Sequence, residues 1–514
     1  MKKIYKSLTV SAIVATVSLS ALPQSLVITH ESQPTKQQRT VLFDRSHGQT
    51  AGAADWVSDG AFSDYADSIQ KQGYDVKAVD GHSNITEASL KSSKIFVIPE
   101  ANIPFKESEQ AAIVNYVKQG GNVVFISDHY NADRNLNRID SSEAMNGYRR
   151  GAYEDMSKGM NAEEKSSTAM QGVKSSDWLS TNFGVRFRYN ALGDLNTSNI
   201  VSSKESFGIT EGVKSVSMHA GSTLAITNPE KAKGIVHTPE QLPAKSKWSH
   251  AVDQGIYNGG GKAEGPYVAI SKVGKGKAAF IGDSSLVEDS SPKYVREDNG
   301  EKKKTYDGFK EQDNGKLLNN ITAWMSKDND GKSLKASGLT LDTKTKLLDF
   351  ERPELSTEPE KEPWSQPPSG YKWYDPTTFK AGSYGSEKGS DPQPNTPDDH
   401  TPPNQTEKVS FDIPQNVSVN EPFEVTIHLK GFEANQTLEN LRVGIYKEGG
   451  RQIGQFSSKD NDYNPPGYST LPTVKADENG NATIKVNAKV LESMEGSKIR
   501  LKLGDKTLIT TDFK

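Results

Sequence analysis

The sequence predicts an α/β protein whose mostly parallel sheet carries helices on both faces, followed by a smaller all-β sandwich. Between residues 38 and 328, short apolar runs alternate with amphipathic segments of helical spacing. These runs are continuously apolar, which is typical of parallel strands that are buried on both faces. Between residues 408 and 514 the chain instead shows short alternating strands, and Asn479-Gly480 favours a hairpin turn.

The first domain divides into elements at its turn signals and polar boundaries. The predicted strands cover residues 40–44, 75–79, 94–99, 122–127, 222–226, 234–236, 267–271 and 277–282. The predicted helices cover residues 59–72, 105–119 and 317–325. Residues 141–200 are polar and predict an insertion with helical pieces.

The N-terminus has the layout of a secretory signal peptide over residues 1–30. Lys2, Lys3 and Lys6 precede an apolar run at residues 8–22. No second apolar run has the length of a membrane span. The chain has no cysteine, which excludes a disulfide framework and thiolate nucleophiles. We therefore predict a secreted, extracellular protein without a transmembrane segment, from a Gram-positive-type bacterium.

A linker rich in proline, glutamate and serine joins the two domains at residues 351–405. It contains an aromatic island formed by Trp364, Tyr371, Trp373, Tyr374 and Phe379. These rings predict either a strap packed along the first domain or a platform for a ligand. Residues 408–514 predict an immunoglobulin-like sandwich, which would serve as a spacer or as a contact to the cell wall or matrix.

Three stretches of the first domain occur in a characteristic order. They are residues 109–127 with Gly120-Gly-Asn-Val-Val-Phe-Ile-Ser, then Val273-Gly-Lys-Gly-Lys-Ala-Ala-Phe-Ile-Gly-Asp283-Ser, then residues 314–324. This order resembles the class I glutamine amidotransferase-like superfamily and is similar to its exported members without amidotransferase activity. The resemblance implies a flavodoxin-like sheet at residues 38–328, with the family's catalytic cysteine in the turn after residues 122–127. Asp128 and His129 occupy that turn here, so amidotransferase chemistry is not implied.

Acidic and imidazole side chains follow three of the predicted strands. Asp44, Asp128 and Asp283 close these strands, and His47 and His129 come shortly after two of them. Because ligands bind beyond the carboxyl ends of parallel strands, we expect one shared site. Imidazole and carboxylate together are ligands for divalent metals, and a bound metal would activate a water molecule. The predicted metal ligands are Asp44, His47, Asp128, His129 and Asp133.

The same side chains have two further interpretations. Without a metal, a histidine would act as general base, oriented by a neighbouring aspartate. The catalytic residues would then be His47, Asp128, His129 and Asp283, with Ser284 or Ser46 as nucleophile. Alternatively, Asp128 and Asp283 cap the segments that follow them, and His129 is a packing residue.

Arginine side chains near this cluster predict an anionic substrate, because guanidinium groups bind phosphate and carboxylate in a bidentate way. The predicted substrate-binding residues are Arg45, Arg134, Asn135, Arg138 and Ser284. The net charge of -4 indicates no overall basic excess, and ordinary surface charge is the alternative.

Taken together, these features favour an exported hydrolase, metal-assisted or not, that acts on a phosphoester, a nucleic acid or another anionic extracellular polymer. A non-catalytic module that binds DNA, glycan or a cell-surface polymer is the alternative, and a degenerate scaffold is a third interpretation.

Overall fold

The computed structural model describes residues 39–79, 84–359, 367–386, 408–414, 416–432, 434–447, 451–459, 462–503 and 506–512. The predicted signal peptide lies outside these residues, as do Trp364 and residues 387–407 of the predicted linker. Within the described part of the chain, no helix combines the length and the apolar character required to cross a membrane.

The first domain is built on one seven-stranded sheet. Two separate two-stranded ribbons, β5-β8 and β6-β7, accompany it. The strands of the domain are β1 (Thr40–Asp44), β2 (Asp75–Val79), β3 (Ile95–Pro99), β4 (Asn122–Ile126), β5 (Val185–Phe187), β6 (Leu195–Thr197), β7 (Val216–Met218), β8 (Leu224–Ile226), β9 (Ala232–His237), β10 (Pro266–Val273) and β11 (Gly276–Ile281). The sheet has the order β2-β1-β3-β4-β11-β10-β9. The pairs from β2 to β11 are parallel, whereas β10 pairs antiparallel with both β11 and β9. The first domain is therefore mixed α/β.

One predicted strand lies outside this sheet. The predicted strand at residues 222–226 corresponds to β8, which pairs with β5 in a separate two-stranded ribbon. A short apolar run indicates that a strand is buried. It does not indicate which strand it pairs with, because pairing depends on segments elsewhere in the chain.

Helices cover both faces of the main sheet. They are α1 (Ser63–Lys71), α2 (Glu87–Leu90), α3 (Glu107–Lys118), α4 (Ser141–Asn146), α5 (Ala162–Ser166), α6 (Trp178–Phe183), α7 (Gly261–Glu264) and α8 (Asn314–Ser326). Alternate residues of each strand point to opposite faces. Val41 and Phe43 pack in one core with α1 and α8, whereas Leu42 packs in the other core with α3 and α6. The two cores hold the sheet rigid beneath its loops.

The region at residues 141–200 contains short helices, and the acidic residues at the start of the first of them, Asp140 and Glu143, are buried. Asp140 Oδ1 accepts a hydrogen bond from Ser142 N at 2.9 Å, and Glu143 Oε2 accepts one from Asp140 N at 2.9 Å. This reciprocal capping box begins α4. A further short helix of this region, α6, begins at Trp178.

The described part of the linker packs against the first domain. Trp373 is 7% exposed and lies in a core cluster with Tyr130 and Tyr148. Its Nε1 donates to Glu164 Oε1 at 3.1 Å. Residues 367–386 therefore form a strap on the first domain.

The C-terminal region consists of separate antiparallel sheets. Its strands are β12 (Lys408–Asp412), β13 (Phe423–Lys430), β14 (Thr437–Leu438), β15 (Leu441–Lys447), β16 (Gly454–Lys459), β17 (Asp462–Tyr463), β18 (Ser469–Thr470), β19 (Val474–Lys475), β20 (Ala482–Val490), β21 (Ser497–Leu503) and β22 (Lys506–Asp512). One sheet has the order β12-β13-β20-β16-β17 and another has the order β18-β15-β21-β22. Val425 and Val486 from the first sheet pack with Val443 and Ile499 from the second. The two sheets therefore share one core.

Candidate functional site

Acidic residues follow four neighbouring parallel strands at the carboxyl edge of the sheet. Asp44 ends β1, Glu100 follows β3, Asp128 comes shortly after β4 and Asp283 shortly after β11, and all four are buried. β3 lies between β1 and β4, so β1 and β4 are two strand spacings, or about 10 Å, apart. The predicted single cluster is consequently divided into an Asp128 group and a His47 group.

Ser284 connects two carboxyl groups in the Asp128 group. Its hydroxyl donates to Asp128 Oδ2 at 2.6 Å and lies 3.1 Å from Glu288 Oε1. Glu288 also accepts hydrogen bonds from Trp56 Nε1 at 2.8 Å and from Tyr306 N at 2.9 Å. The bond from Ser284 to Asp128 joins the loop after β11 to the loop after β4. Ser284 thus places a hydroxyl group between two acids.

A small cavity of about 60 Å³, which we call the Asp128 pocket, adjoins this group. Its polar lining combines carboxyl, imidazole and cationic side chains. The lining residues used below are Asp128, His129, Arg134, His219, Glu288 and Lys304. Trp248 and Tyr306 contribute aromatic walls.

Burial raises the pKa of three carboxyl groups at this site. The pKa of Asp128 rises to about 7, since burial and the nearby Glu288 outweigh the hydrogen bond from Ser284. The pKa of Glu288 rises to about 7 by burial. The pKa of Asp283 also rises to about 7, by burial and by the charge of Asp128. At neutral pH the three groups are therefore partly protonated, which suits acid–base chemistry.

His129 is held as a neutral imidazole. Its Nδ1 lies 2.8 Å from the carbonyl oxygen of Tyr130, which can only accept, so Nδ1 carries the proton. Nε2 is then unprotonated and lies 4.0 Å from Asp128 Oδ1. Burial and the charge of Arg134 lower the pKa of His129 to about 3. His129 thus offers a lone pair near Asp128.

Asp283 has a supporting position. Its Oδ2 accepts from Tyr267 Oη at 2.8 Å and from His219 N at 2.7 Å, and its Oδ1 accepts from Ser285 N at 2.8 Å. The last bond caps the 3₁₀ turn Ser284–Leu286, as the capping interpretation predicts for Asp283. The charge of Asp128 in turn contributes to the raised pKa of Asp283.

The loop after His129 brings one arginine to the pocket. Asn131, Arg134 and Asn135 have φ angles of 66°, 63° and 66°, in the left-handed region that non-glycine residues seldom adopt. Arg134 Nη1 donates to the carbonyl oxygen of Ala132 at 2.7 Å, and Arg134 lines the pocket. Asn135 N donates to Asn131 Oδ1 at 2.9 Å, which stabilises the turn. Strained backbone of this kind is common at functional sites.

The other predicted anion-binding arginines point elsewhere. Arg138 binds Glu164 with both Nε and Nη2, at 3.1 and 3.2 Å. Arg45 Nη1 donates to Asp59 Oδ1 at 2.8 Å. Both therefore serve internal ion pairs, and neither lines the Asp128 pocket.

His47 lies in its own carboxylate clamp. Its Nδ1 is 2.8 Å from Asp44 Oδ2 and its Nε2 is 3.4 Å from Glu109 Oε2. Burial alone would lower the pKa of His47, but Asp44 and Glu109 outweigh it and raise the pKa to about 10. A doubly protonated imidazole can act neither as a base nor as a metal ligand. In this protonation state His47 could donate a proton, and its predicted roles in catalysis and metal binding stay predictions.

The predicted metal ligands are accordingly not gathered at one point. Asp44 receives hydrogen bonds from Ser46 and Gln49 beside His47, and Asp133 Oδ2 accepts from Asn137 N at 2.6 Å. In the described ranges, no group of three or more histidine, aspartate or glutamate side chains has the arrangement of a metal site. A metal held by Asp128 and His129 stays a prediction.

Some residues of the site were not identified from the sequence. Glu100 is fully buried at φ +24°, and burial together with Asp128 raises its pKa well above the ordinary value. Its position directly after a predicted strand was the available signal. His219 directly follows β7, a strand that the sequence did not predict, and Trp248 lies outside the helices and strands, so neither had such a signal.

The fold and this pocket define a mixed α/β protein with a buried carboxyl and imidazole site at the carboxyl edge of its sheet. No protein-family model matches the chain, and no curated protein matches it. Solved structures include similar chains. The mmIFT52 N-terminal domain is 11% identical over 56% of this chain and 97% of that chain, with a TM-score of 0.34.

Two further solved structures are similar at the same low level. A ThuA-like protein from Parabacteroides merdae is 13% identical over 57% of this chain and 90% of that chain, with a TM-score of 0.30. Spo0M, a sporulation control protein from Bacillus subtilis, is 14% identical over 19% of this chain and 41% of that chain, with a TM-score of 0.10. Likenesses of this size assign neither a family nor an activity.

Proposed function

We propose that this protein is an exported hydrolase that acts on an anionic extracellular substrate, of the phosphoester class, at the Asp128 pocket. The observation that supports the proposal is the Ser284 hydroxyl, 2.6 Å from Asp128 Oδ2 and beside Glu288. Ser284 is fully buried and adjoins the pocket through Asp128, which lines it together with His129 and Arg134. A hydroxyl, a carboxylate base, a proton donor and a cation are the groups that hydrolysis of such an ester requires.

Asp128 is the general base in this proposal. A base works best when its pKa lies near the operating pH, and that of Asp128 is about 7. Asp128 would take the proton from a water molecule that attacks the phosphorus directly, or from Ser284. In the second case Ser284 would carry the phosphoryl group until a water molecule, deprotonated by the same base, releases it as phosphate and Ser284 regains its proton. Glu288, whose pKa is also about 7, would return a proton to the leaving oxygen.

The cations of the pocket would hold the anion. Arg134 and Lys304 line it, and His219 carries a raised pKa because Glu311 and Asp283 outweigh the effect of its partial burial. Positive groups placed where negative charge develops stabilise the transition state of ester hydrolysis. The small volume admits only the reacting group, so the rest of the substrate would lie outside.

The family and the C-terminal module form part of the same proposal. The parallel order β1-β3-β4-β11 and the polar turn after β4 support membership of the class I glutamine amidotransferase-like superfamily. Two antiparallel sheets with one shared core support an immunoglobulin-like sandwich, with a role in cell-wall or matrix contact.

Turnover of simple phosphoesters tests the activity. We expect hydrolysis of bis(p-nitrophenyl) phosphate or p-nitrophenyl phosphate, reduced at least about 100-fold in Asp128→Asn and Ser284→Ala. Ser157 provides a matched control, because its exposed hydroxyl donates to Asp155 Oδ1 at 2.7 Å in the same way. Ser157→Ala should retain full activity. Equal rates in Ser284→Ala and the parent protein would contradict the proposal.

Metal analysis tests the predicted cofactor separately. Stoichiometric divalent metal in the purified protein, lost in an Asp128→Ala, His129→Ala double variant, would support metal assistance. If the parent shows no turnover and binds DNA in a salt-sensitive way, the non-catalytic binding module becomes the better assignment.

A further inference from the structure

A second and larger cavity lies beside the His47 clamp, and we call it the strap cavity. Its volume is about 680 Å³, within the range of about 300–1,000 Å³ usual for ligand pockets. The loop after β1 forms one wall and the strap at residues 367–386 forms another. Six aromatic residues line it, namely Tyr294, Tyr371, Trp373, Tyr374, Phe379 and Tyr384.

These rings do more than fill a core. Tyr371 and Phe379 are stacked, with centroids 5.3 Å apart and planes 16° apart, and both are only partly buried. Tyr294 and Tyr384 meet edge to face at 5.2 Å. Only Trp373 is fully committed to packing. The strap rings therefore contact the first domain in part, as Tyr384 contacts Tyr294, and also line a cavity.

Arg45 and His47, two of the basic residues that line the strap cavity, are paired with acidic groups. Arg45 pairs with Asp59, and His47 lies between Asp44 and Glu109. Lys106 Nζ donates to the side chain of Asn84. A site for phosphate groups would present an excess of cations, as the nucleic-acid-binding grooves of proteins do. The pairing of Arg45 and His47 with acidic groups instead favours a ligand without net charge.

Glu297 adds a hydrogen-bond acceptor at the cavity wall. It is 2% exposed, and its Oε1 accepts from Lys303 Nζ at 2.7 Å. Its Oε2 has no hydrogen-bond partner among the described residues. A buried carboxylate oxygen without a donor is costly, so a ligand hydroxyl that donates to it would be bound favourably.

We infer that the strap cavity binds a neutral carbohydrate chain. A sugar ring has an apolar C–H face, which can lie on a tyrosine or phenylalanine ring, and hydroxyl groups at its edge, which can donate to Glu297. Aromatic walls with a few placed polar groups are the usual composition of a site for such a ligand. The inference does not depend on the proposed hydrolase activity, because the strap cavity and the Asp128 pocket share no lining residue.

Binding of defined tetrasaccharides to the full chain tests this inference. The panel comprises β-linked oligomers of N-acetylglucosamine and glucose, α-linked oligomers of glucose and mannose, and a peptidoglycan fragment, with a short oligo-dT as the anionic comparison. Titration calorimetry measures the affinity, and the fluorescence of Trp373 in the wall provides a second readout. We expect at least one saccharide to bind and oligo-dT not to bind.

Cavity variants then locate the binding. Tyr371→Ala and Tyr384→Ala should each weaken saccharide binding about tenfold, the size of one lost ring contact. Tyr463→Ala, at a tyrosine of β17, is the control and should bind like the parent. Asp128→Asn should also bind normally, which separates this site from the hydrolytic one. No saccharide binding across the panel, binding of oligo-dT alone, or binding unaffected in both cavity variants would overturn the inference.

Discussion

Replacement of Asp128 by asparagine probes the buried carboxyl cluster through protein stability. Burial raises the pKa of Asp128 from its ordinary value of 3.8 to about 7. The folded protein therefore retains this proton at pH values where the unfolded chain has lost it. The stability that protonated Asp128 contributes is complete below about pH 4 and falls as the pH rises to about 7. A pKa change of this size corresponds to roughly 4 kcal/mol.

The Asp128→Asn variant has no proton to lose, so this decline should disappear. We therefore expect the free energy of unfolding of the variant minus that of the parent to grow by about 2–4 kcal/mol from about pH 4 to pH 8. The lower limit applies because Asp283 and Glu288 ionise more readily once Asp128 is neutral. The variant should thus be inactive and yet more resistant to denaturation at alkaline pH.

Urea denaturation at the two pH values, followed by tryptophan fluorescence, measures the effect. Asp155→Asn is the matched control, because Asp155 is exposed and hydrogen bonds from Ser157 lower its pKa. The control should show no gain at pH 8. If Asp128→Asn and the parent lose stability equally between the two pH values, the buried, proton-retaining carboxyl at the site is refuted.

Two further predictions concern the sheet and the His47 clamp. Phe125 is fully buried and its ring stacks on Phe280, with the ring centroids 5.2 Å apart. Phe125→Ala should therefore lower the free energy of unfolding, measured by urea denaturation, by about 3–5 kcal/mol. A loss below about 1 kcal/mol would contradict this packing. Asp44 and Glu109 overcome burial to raise the pKa of His47 from 6.5 to about 10. The resulting stabilisation is complete below pH 6.5 and is lost as the pH rises through about 10. His47→Gln should therefore be most destabilising near pH 6 and least destabilising near pH 10. Thermal melts across this range measure the difference in stability, and a difference that does not change with pH would disprove the clamp.

The positions of most main-sheet strands were predictable because burial on both faces requires continuous apolar sequence. β4 and β11 match their predicted ranges closely, and the polar residues that follow them mark the carboxyl edge of the sheet. Asp128, His129 and Ser284 could be placed near one another on this basis, since β4 and β11 are adjacent and parallel. The neutral state of His129 could not be predicted, because it depends on burial and on the hydrogen bond to the carbonyl oxygen of Tyr130.

The sequence by itself determined where the strands of the main sheet lie and which acidic and imidazole groups follow β1, β4 and β11. It did so because apolar periodicity and turn residues act locally along the chain. Only the tertiary structure decided the order of the strands. The position of β3 between β1 and β4 separated His47 from Asp128. The folded chain also brought Asp59 to Arg45 and Glu164 to Arg138, so that both arginines form ion pairs. Strand order depends on contacts between distant segments, which no local pattern encodes.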